Sequence, residues 1–318
     1  MTQNQLPPLA RQALDRDYLS RDNSDLFEHL AQDPESRVLL ISDGKVRIDR
    51  SNPTALKLEP LTRDHLSSEL IYLGKTTKAE PGVSKGAGIC LQIIDASKAS
   101  QIESDQSSWV TLRSAGAHLS DLFAGMFTQA LALANWHLNS THCPGCGSQT
   151  LVEKAGWVRR CKQEGTELFP RTDPAIIVSI LDQHDRILLG SQVSWGANKW
   201  SVLAGFVEPG ESLEAAVIRE MKEECGLDVT QPSYLYSQSW PYPISLMLGF
   251  TAKADSDQEL KPDGEEILTL RWFSRAELAE QASQMLLPGK STISRAMIEL
   301  WYGSEIESLT ETNGNGFQ

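Results

Sequence analysis

The chain has 318 residues, a length that predicts two domains at roughly 150 residues each. Hydrophobic residues make up 40% and charged residues 22%, values close to the globular average that exclude wholesale disorder. The formal net charge of −13 disfavours nonspecific binding to a nucleic-acid backbone, because that binding needs an excess of Lys and Arg.

Between residues 1 and 139, short apolar runs alternate with turn signals and end in one long helical pattern. Strands are predicted at Val38–Ile41, Leu70–Leu73 and Ile89–Ile94, and a helix over Leu119–Trp136. Polar residues interrupt the helical stretch, so it predicts a half-buried helix and not a membrane span. We therefore expect an N-terminal α+β domain that serves as a scaffold or a dimerisation surface.

The N-terminus and the cysteines bear on the cellular compartment. The N-terminus has no apolar segment of the length that a secretory signal needs. An odd and sparse cysteine set is more typical of a reducing cytosol than of a disulfide framework. We therefore expect a cytoplasmic protein without membrane contact. The five cysteines are Cys90, Cys143, Cys146, Cys161 and Cys225.

Three of these cysteines cluster in residues 140–171, a stretch too small for a hydrophobic core of its own. Cys143 and Cys146 form a C-x2-C pair, and Cys161 begins a second pair whose last position holds Glu164. This spacing predicts a zinc-ribbon-like module with three thiolate ligands and a carboxylate. His142 is an alternative fourth ligand. A ribbon that folds by packing alone, with reduced thiols, is the alternative to bound zinc.

A second domain is predicted over residues 172–305. It opens with two apolar runs, Ala175–Leu181 and Ile187–Gly190, which flank a turn at residues 183–185 and indicate a hairpin of buried strands. After about Ile306 few apolar residues remain. We therefore expect residues 306–318 to form a disordered tail.

The strongest motif runs from Gly205 to Leu227 and indicates a loop followed by a helix. Ser212 is predicted as the N-cap of the helix, and Gly226 as the left-handed residue that ends it. The loop before the helix is rich in turn-forming Gly and Pro.

Three carboxylates crowd one edge of this helix. Glu220, Glu223 and Glu224 stand at i, i+3 and i+4 beside the apolar stripe. A solvated acidic face is the alternative interpretation. Mg²⁺ or Mn²⁺, which prefer oxygen ligands, would relieve the repulsion among the carboxylates and could clamp a diphosphate.

The whole segment follows the pattern G-x5-E-x7-R-E-φ-x-E-E-x-G-φ, where φ is an apolar residue. In this it resembles the box of the Nudix hydrolase superfamily. The resemblance implies that residues 172–305 form an α/β/α sandwich with a mixed sheet. It also implies metal-assisted hydrolysis of a nucleoside diphosphate linked to a second group.

The same resemblance assigns roles within the box. Glu220 and Glu224 are implied as metal ligands, and Glu223 as the base beside the attacking water or as a further ligand. Arg219 is implied to pair with Glu211 and so to hold the loop against the helix.

A second motif, Ser237-Gln238-Ser239-Trp240-Pro241-Tyr242-Pro243-Ile244-Ser245, follows the box. Two prolines stiffen the backbone around two aromatic rings, so the segment can stack a base with little ordering on binding. An edge strand with packed aromatics is the alternative. The segment resembles the S-Q-P-W-P-F-P-x-S signature of the NADH pyrophosphatases, Nudix enzymes that hydrolyse NAD(H) to NMN(H) and AMP and in some cases remove NAD caps from RNA. Ser239 and Tyr242 depart from that signature; the tyrosine keeps the ring, whereas the serine gives up rigidity.

This likeness implies further site residues and a homodimer. Glu266 is implied as a metal ligand, Ala204 as a ligand through its carbonyl, and Phe206 with Phe169 as a sandwich around a substrate ring. In a dimer, the alternative is that the ring in the Phe169 role comes from the other subunit. The implied substrate-binding residues are Phe206, Phe169, Gln238, Ser239, Trp240, Pro241, Tyr242, Pro243 and Ser245.

The leading hypothesis is therefore a metal-dependent NAD(H) diphosphatase, with the NAD-capped 5′ end of RNA as a second substrate. The first alternative is the same chemistry on ADP-ribose or dinucleoside polyphosphates. The second is a non-catalytic nucleotide-sensing regulator, against which the intact glutamate set argues. A local basic cluster around the ribbon would favour capped RNA. Its members are Arg159, Arg160, Lys162 and Arg171.

Overall fold

The computed structural model describes residues 6–11, 14–196 and 198–309 of the chain. These residues form two compact units. The N-terminal unit comprises residues 11–171, and the C-terminal unit comprises residues 172–309 together with residues 6–10. Within the described part of the chain, no helix combines the length and the apolar character needed to cross a membrane.

The N-terminal unit is built on a seven-stranded sheet in the order β1-β5-β6-β2-β3-β7, with β4 paired to β2. The pairing of β2 with β6 is parallel and the others are antiparallel. Helix α4 packs against β1, β2 and β5. The strands are β1 (Leu14–Asp15), β2 (Arg37–Ser42), β3 (Lys45–Arg47), β4 (Glu59–Pro60), β5 (Ile71–Thr76), β6 (Gly88–Ile93) and β7 (Trp109–Thr111). The helices are α1 (Leu26–Gln32), α2 (Ala96–Ile102), α3 (Leu112–Ala115) and α4 (Asp121–Asn139).

The ribbon belongs to this unit and consists of three antiparallel strands, β8 (Thr150–Glu153), β9 (Val158–Cys161) and β10 (Glu167–Leu168). Between β8 and β9, Lys154, Ala155 and Gly156 all have positive φ angles. A side chain at Gly156 would meet Ile71 of β5 at 2.8 Å. The carbonyl of Gly156 accepts a 2.8 Å hydrogen bond from His137 of α4. The left-handed turn therefore joins the ribbon closely to the sheet and the long helix.

The C-terminal unit has the predicted mixed sheet, in the order β14-β15-β11-β12-β16 with β13 paired to β11. Only the pairing of β11 with β15 is parallel among the described strands of this sheet. The strands are β11 (Asp173–Leu181), β12 (Ile187–Gln192), β13 (Leu203–Phe206), β14 (Thr230–Trp240), β15 (Ser245–Lys253) and β16 (Ile267–Phe273). The helices are α5 (Leu213–Cys225), α6 (Arg275–Gln281) and α7 (Ile293–Tyr302).

Helices cover both faces of this sheet because β11 buries its side chains alternately on the two sides. Ile176 and Val178 pack in the core beneath α5, whereas Ile177 packs in the core with α6 and α7. The α/β/α sandwich and the α+β class predicted from the sequence are thereby confirmed.

Both ends of the C-terminal unit differ from the predicted boundaries. Leu6 packs in the α6–α7 core, so residues 6–10 leave the predicted 1–139 domain. Ile306 is buried, and its N–H donates to Glu299 at 3.0 Å. The buried Arg295 guanidinium binds the carbonyl of Ile306 and the hydroxyl of Ser308. The prediction of disorder is therefore wrong for residues 306–309, and its remaining part, residues 310–318, lies outside the described residues.

Candidate active site and metal centres

The box motif forms a strand, a loop and a helix, with the caps that the sequence predicts. The hydroxyl of Ser212 accepts from the N–H of Ala215 at the start of α5, and Gly226 ends the helix with a φ of 75°. Val217 and Met221 are fully buried against the sheet. The helix is therefore fixed at both ends and along its apolar face.

Arg219 lies at the centre of the acidic site. Its guanidinium donates to Glu211 at 2.6 Å, to Glu220 at 2.9 Å and to Glu223 at 3.0 Å. A further bond of 3.0 Å reaches the carbonyl of Phe206. The hydrogen bond to Glu211 is the first cause of a pKa of Arg219 raised above its usual value, and the same bond lowers the pKa of Glu211. Arg219 thus holds the loop to the helix and orients two of the three box carboxylates.

Glu220 is pressed against the backbone of β13. A Cβ atom added at Gly205 would lie 2.0 Å from its Cδ, so only glycine leaves room for this carboxylate. The side chain of Glu220 is 14% exposed, and that of Glu223 is 60% exposed. Burial is the first cause of the raised pKa of Glu220. Ala204, the predicted carbonyl ligand, precedes Gly205 in β13 and pairs with Ile177.

Glu224 is the most unusual carboxylate of the site. It is 5% exposed, and among the described residues its Oε2 has no hydrogen-bond partner. Burial raises the pKa of Glu224 to about 9, and the charges of Glu266, Glu220 and Asp263 add to the effect. A buried carboxylate oxygen without a partner costs free energy unless a cation or proton compensates it. The carboxylates around this position offer only oxygen atoms as metal ligands, which fits Mg²⁺ or Mn²⁺.

Glu266 approaches from the loop before β16. Its Oε1 accepts from Gln192 Nε2 at 3.1 Å, and its backbone carbonyl accepts from Val193 at 2.9 Å. The pKa of Glu266 is raised, first by burial and then by the charges of Asp263 and Glu220. Asp263 was not predicted as a site residue; the available signal was the Asp263-Gly264 turn just before Glu266.

The predicted aromatic segment connects β14 to β15. Trp240 and Tyr242 are half-buried, and their ring centroids lie 4.9 Å apart at an interplanar angle of 55°. Pro241 is buried, whereas Pro243 is exposed and follows a cis peptide bond. Ser239 is half-buried and pairs with the backbone of β15. The two rings therefore form one aromatic surface held by the proline-rich turn.

Gln238 and Ser245, both predicted to contact substrate, are buried. The amide of Gln238 donates to the carbonyl of Ser291 at 2.9 Å and accepts from the N–H of Ile293 at 2.7 Å. Both the nitrogen and the oxygen of the side-chain amide are thus bonded at the start of α7. This corrects the prediction for Gln238, because the inward side of β14 carries it into the core and away from solvent.

The two predicted sandwich residues belong to different units. Phe206, at the end of β13, is 61% exposed, and Phe169, before the last residues of the N-terminal unit, is 58% exposed. Each is a large apolar side chain left in water, which is a feature of binding surfaces when polar groups surround it.

The cysteine cluster brings all four predicted zinc ligands together. One ligand atom from each of Cys143, Cys146, Cys161 and Glu164 lies within 4.8 Å of the others. The Sγ atoms of Cys146 and Cys161 are 3.4 Å apart, and Cys143 Sγ lies 3.7 Å from Glu164 Oε2. Ligands of tetrahedral zinc at about 2.3 Å would be separated by roughly 3.8 Å, so the set fits the ion. The alternative ligand His142 lies outside this group, and its Nδ1 contacts the hydroxyl of Thr141 at 3.0 Å.

Two members of the basic cluster predicted around the ribbon are already bonded to neighbouring side chains. Arg159 is buried and contacts His137 Nδ1 and Thr150 Oγ1, each at 2.8 Å. Arg160 pairs with Glu153 at 2.9 Å and with Glu167 at 2.5 Å. The prediction treated these arginines as available to phosphates, and it is wrong for both because nearby acceptors already satisfy them.

Three family models match the chain in order along its length. Residues 34–136 match the NADH pyrophosphatase-like rudimentary NUDIX domain, residues 138–169 the NADH pyrophosphatase zinc ribbon domain, and residues 170–296 the NUDIX domain. The first match identifies the N-terminal α+β domain, for which no motif indicated a family.

Individual proteins show the same relationship. The protein named NAD-capped RNA hydrolase NudC of Mycobacterium tuberculosis is 41% identical over 206 residues, covering 62% of this chain and 66% of that protein. The human protein named NAD-capped RNA hydrolase NUDT12 is 35% identical over 192 residues, covering 56% of this chain and 41% of that protein. These matches span slightly less than two thirds of the first relative and under half of the second. Among solved structures, a NUDIX hydrolase from Nitrosomonas europaea has a TM-score of 0.40 and 22% identity, over 54% of this chain and 97% of that chain. The chain belongs to the NADH pyrophosphatase family of the Nudix superfamily.

Proposed function

We propose that the chain hydrolyses the diphosphate of NAD(H) to NMN(H) and AMP, using Mg²⁺ or Mn²⁺. The observation that carries this proposal is the buried carboxylate of Glu224, whose Oε2 lacks a partner among the described residues while Glu220 and Glu266 act on it electrostatically. Such a group suits a divalent cation. The names of the two relatives, both NAD-capped RNA hydrolases, support NAD as the substrate class.

The residues divide the work by exposure and contact. Glu220, Glu224 and Glu266, with the carbonyl of Ala204, would hold the cations. A bound divalent cation lowers the pKa of a coordinated water and offsets charge on phosphate oxygens. Glu223 is the exposed carboxylate of the box and takes the proton from the attacking water. Arg219 orients this base through their 3.0 Å contact.

Substrate recognition is assigned to the exposed ring of Phe206 and to the aromatic surface of Trp240 and Tyr242. Stacking on such rings holds a base or a nicotinamide without using the charged groups of the site. The role of Phe169 in this sandwich stays a prediction. A homodimer in the cytoplasm is the assembly we propose, and light scattering after gel filtration tests its stoichiometry.

NAD-capped RNA is the second candidate substrate, favoured by the names of the relatives. Arg159 is already bonded to His137 of α4, and Arg160 to Glu153 and Glu167 of the ribbon, so they offer little to an RNA backbone. We therefore expect the cap itself to supply most of the recognition. Charge reversal at Lys162 should then leave the hydrolysis of capped RNA within about threefold of its original rate.

We further propose that Cys143, Cys146, Cys161 and Glu164 hold a structural zinc ion. The carboxylate of Glu164 replaces the fourth thiolate of a four-cysteine ribbon. The N–H of Glu164 also donates to Cys161 Sγ at 3.4 Å, a bond that lowers the pKa of the Cys161 thiol and so favours its thiolate.

The decisive experiment incubates the purified chain with NADH and Mn²⁺ and identifies the products by chromatography and mass. NMNH and AMP in equal amounts, absent with a chelator and with Glu224→Gln, are the expected result. ADP-ribose and diadenosine polyphosphates are compared by kcat/KM. A higher value for either would reassign the substrate, and tight binding of NADH without turnover would favour a regulator.

A further inference from the structure

One side chain organises the loop that carries Glu266. Oδ1 of Asp263 accepts the backbone N–H groups of Glu265 at 3.1 Å, Glu266 at 3.1 Å and Ile267 at 2.8 Å. The N–H of Gly264 in turn donates to the carbonyl of Ile267 at 3.1 Å, and Gly264 has a φ of 76°. A single carboxylate oxygen thus fixes the backbone of a complete turn.

The turn matters because burial does not fix the position of Glu266. Glu266 is exposed to solvent, although its surroundings desolvate the carboxylate enough to raise its pKa, so packing alone does not hold the side chain. Its position depends on three hydrogen bonds. The N–H of Glu266 donates to Asp263, its backbone carbonyl accepts from the N–H of Val193, and its carboxylate accepts from the side chain of Gln192. The contacts with Val193 and Gln192 come from the end of β12, whereas Asp263 acts from within the loop itself.

We propose that Asp263 is a positioning residue for the metal site: it fixes the loop so that the carboxylate of Glu266 faces Glu220 and Glu224. This inference rests on the proposed function. We assign the larger effect of Asp263 to the turn, because its Oδ1 accepts three N–H groups of the loop that carries Glu266. Its charge also acts on Glu224 and Glu266, so the two contributions are separated by substitution. Partners of metal ligands that orient them in this way typically change metal affinity by 10- to 100-fold when they are removed.

Two substitutions separate the turn from the charge. Asp263→Asn keeps a side-chain oxygen that can accept the same N–H groups but removes the negative charge. Asp263→Ala removes the acceptor as well. We expect Asp263→Ala to weaken the binding of Mn²⁺ alone, measured by electron paramagnetic resonance, by about 10- to 100-fold, and Asp263→Asn to stay within about threefold of the original chain.

A matched control is available at the other end of the same sheet. Oδ1 of Asp255 accepts the N–H of Asp257 at 2.9 Å, in a turn that follows β15. At the end of β15 near Asp255, Lys253 pairs with Leu181, the last residue of β11. The box lies beside the opposite end of β11, where Ala175 pairs with Phe206. Asp255→Ala therefore removes a similar turn acceptor far from the carboxylates, and we expect unchanged Mn²⁺ binding.

Hydrogen exchange supplies a readout that needs neither metal nor turnover. In Asp263→Ala the amides of Glu265, Glu266 and Ile267 should exchange at least tenfold faster, while amides of α5 keep their protection. Should Asp263→Ala fail to fold, Asp263→Ser takes its place, since serine carries a shorter acceptor. Binding of Mn²⁺ as tight as in the original chain, with unchanged loop exchange, would overturn the proposal. Equal losses in Asp263→Asn and Asp263→Ala would also overturn it, because charge would then be the cause.

These outcomes are separable from the proposed function. If the original chain binds Mn²⁺ but leaves NADH intact, the proposed substrate is wrong while the comparison of the Asp263 variants still decides the role of the turn. If NADH is hydrolysed and Asp263→Ala binds Mn²⁺ normally, the inference alone fails.

Discussion

Gly205→Ala should displace the carboxylate of Glu220 while leaving the fold intact. The added Cβ would lie 2.0 Å from Cδ of Glu220. Ordinary van der Waals contact begins at 3.4 Å, so the carboxylate must move by about 1.4 Å. It is held in place by Arg219 at 2.9 Å, and this contact must lengthen or break.

The size of the effect follows from the accuracy that a metal site needs. A misplacement of about 1 Å can cost on the order of 10²-fold in rate, equivalent to roughly 2.7 kcal/mol of transition-state stabilisation. Gly205 has no positive φ, so alanine adopts its backbone conformation without strain. Because Glu220 can swing toward solvent, the overpacking should cost only about 1 kcal/mol of stability.

The assay measures kcat/KM for NADH, the Mn²⁺ concentration at half-maximal rate, and the melting temperature. We expect kcat/KM to fall about 10²-fold and the required Mn²⁺ concentration to rise. Gly196→Ala is the control, since its Cβ meets nothing within 4 Å. If Gly205→Ala keeps full activity and its Mn²⁺ requirement, Glu220 is not held where the reaction needs it, and the argument from this contact is wrong.

Three further outcomes test other parts of the reasoning. Glu223→Gln should lower kcat by about 10²- to 10⁴-fold without a change in melting temperature, because the exposed base is lost and no packing is disturbed; near-normal turnover would remove Glu223 from the mechanism. Measured by metal analysis after treatment with a chelator, Glu164→Cys should retain zinc better than the original chain, and Glu164→Ala should retain it worse. His142→Ala should retain as much zinc as the original chain. Zinc retention that does not depend on residue 164 would exclude Glu164 as a ligand. Burial lowers the pKa of His137 to about 4, so between pH 6.5 and 4 the unfolded chain binds a proton that the folded chain does not. The free energy of unfolding should therefore fall by roughly 3 kcal/mol as the pH drops through this window. In chemical unfolding, His137→Gln should flatten this dependence on pH, and an unchanged dependence would contradict the assignment.

The sequence predicted those features that depend on local pattern. Ser212 and Gly226 cap α5 because their side-chain and backbone preferences suit only those positions. The apolar runs on either side of residues 183–185 form β11 and β12, as the hairpin prediction required. The spacing of Cys143, Cys146 and Cys161 brought three thiols together because a short turn leaves few other arrangements.

Features that depend on contacts between distant residues could not be predicted in this way. Gln238 was assigned to the substrate by its place in the family signature, but its amide bonds to Ser291 and Ile293, which lie more than 50 residues away in the sequence. Arg159 is buried through contacts with His137, 22 residues away in the sequence. The left-handed conformation of Lys154 and Ala155 opposes the preference of both residues and exists because tertiary contacts hold it.

The phase of α5 explains why three similar glutamates have different environments. At about 100° per residue, Glu224 lies roughly 40° from Glu220, within the wider arc that runs from the buried Ala216 to the buried Cys225, whereas Glu223 lies about 60° to the other side of Glu220. Glu224 therefore occupies a position where amphipathic patterning requires an apolar side chain, and it is 5% exposed. Glu223, at the margin of the arc, remains in contact with water. A charge at the buried position of Glu224 lowers stability unless a cation compensates it. A base at the position of Glu223 needs a water molecule within reach. The turn of the helix alone thus separates the proposed ligand from the proposed base.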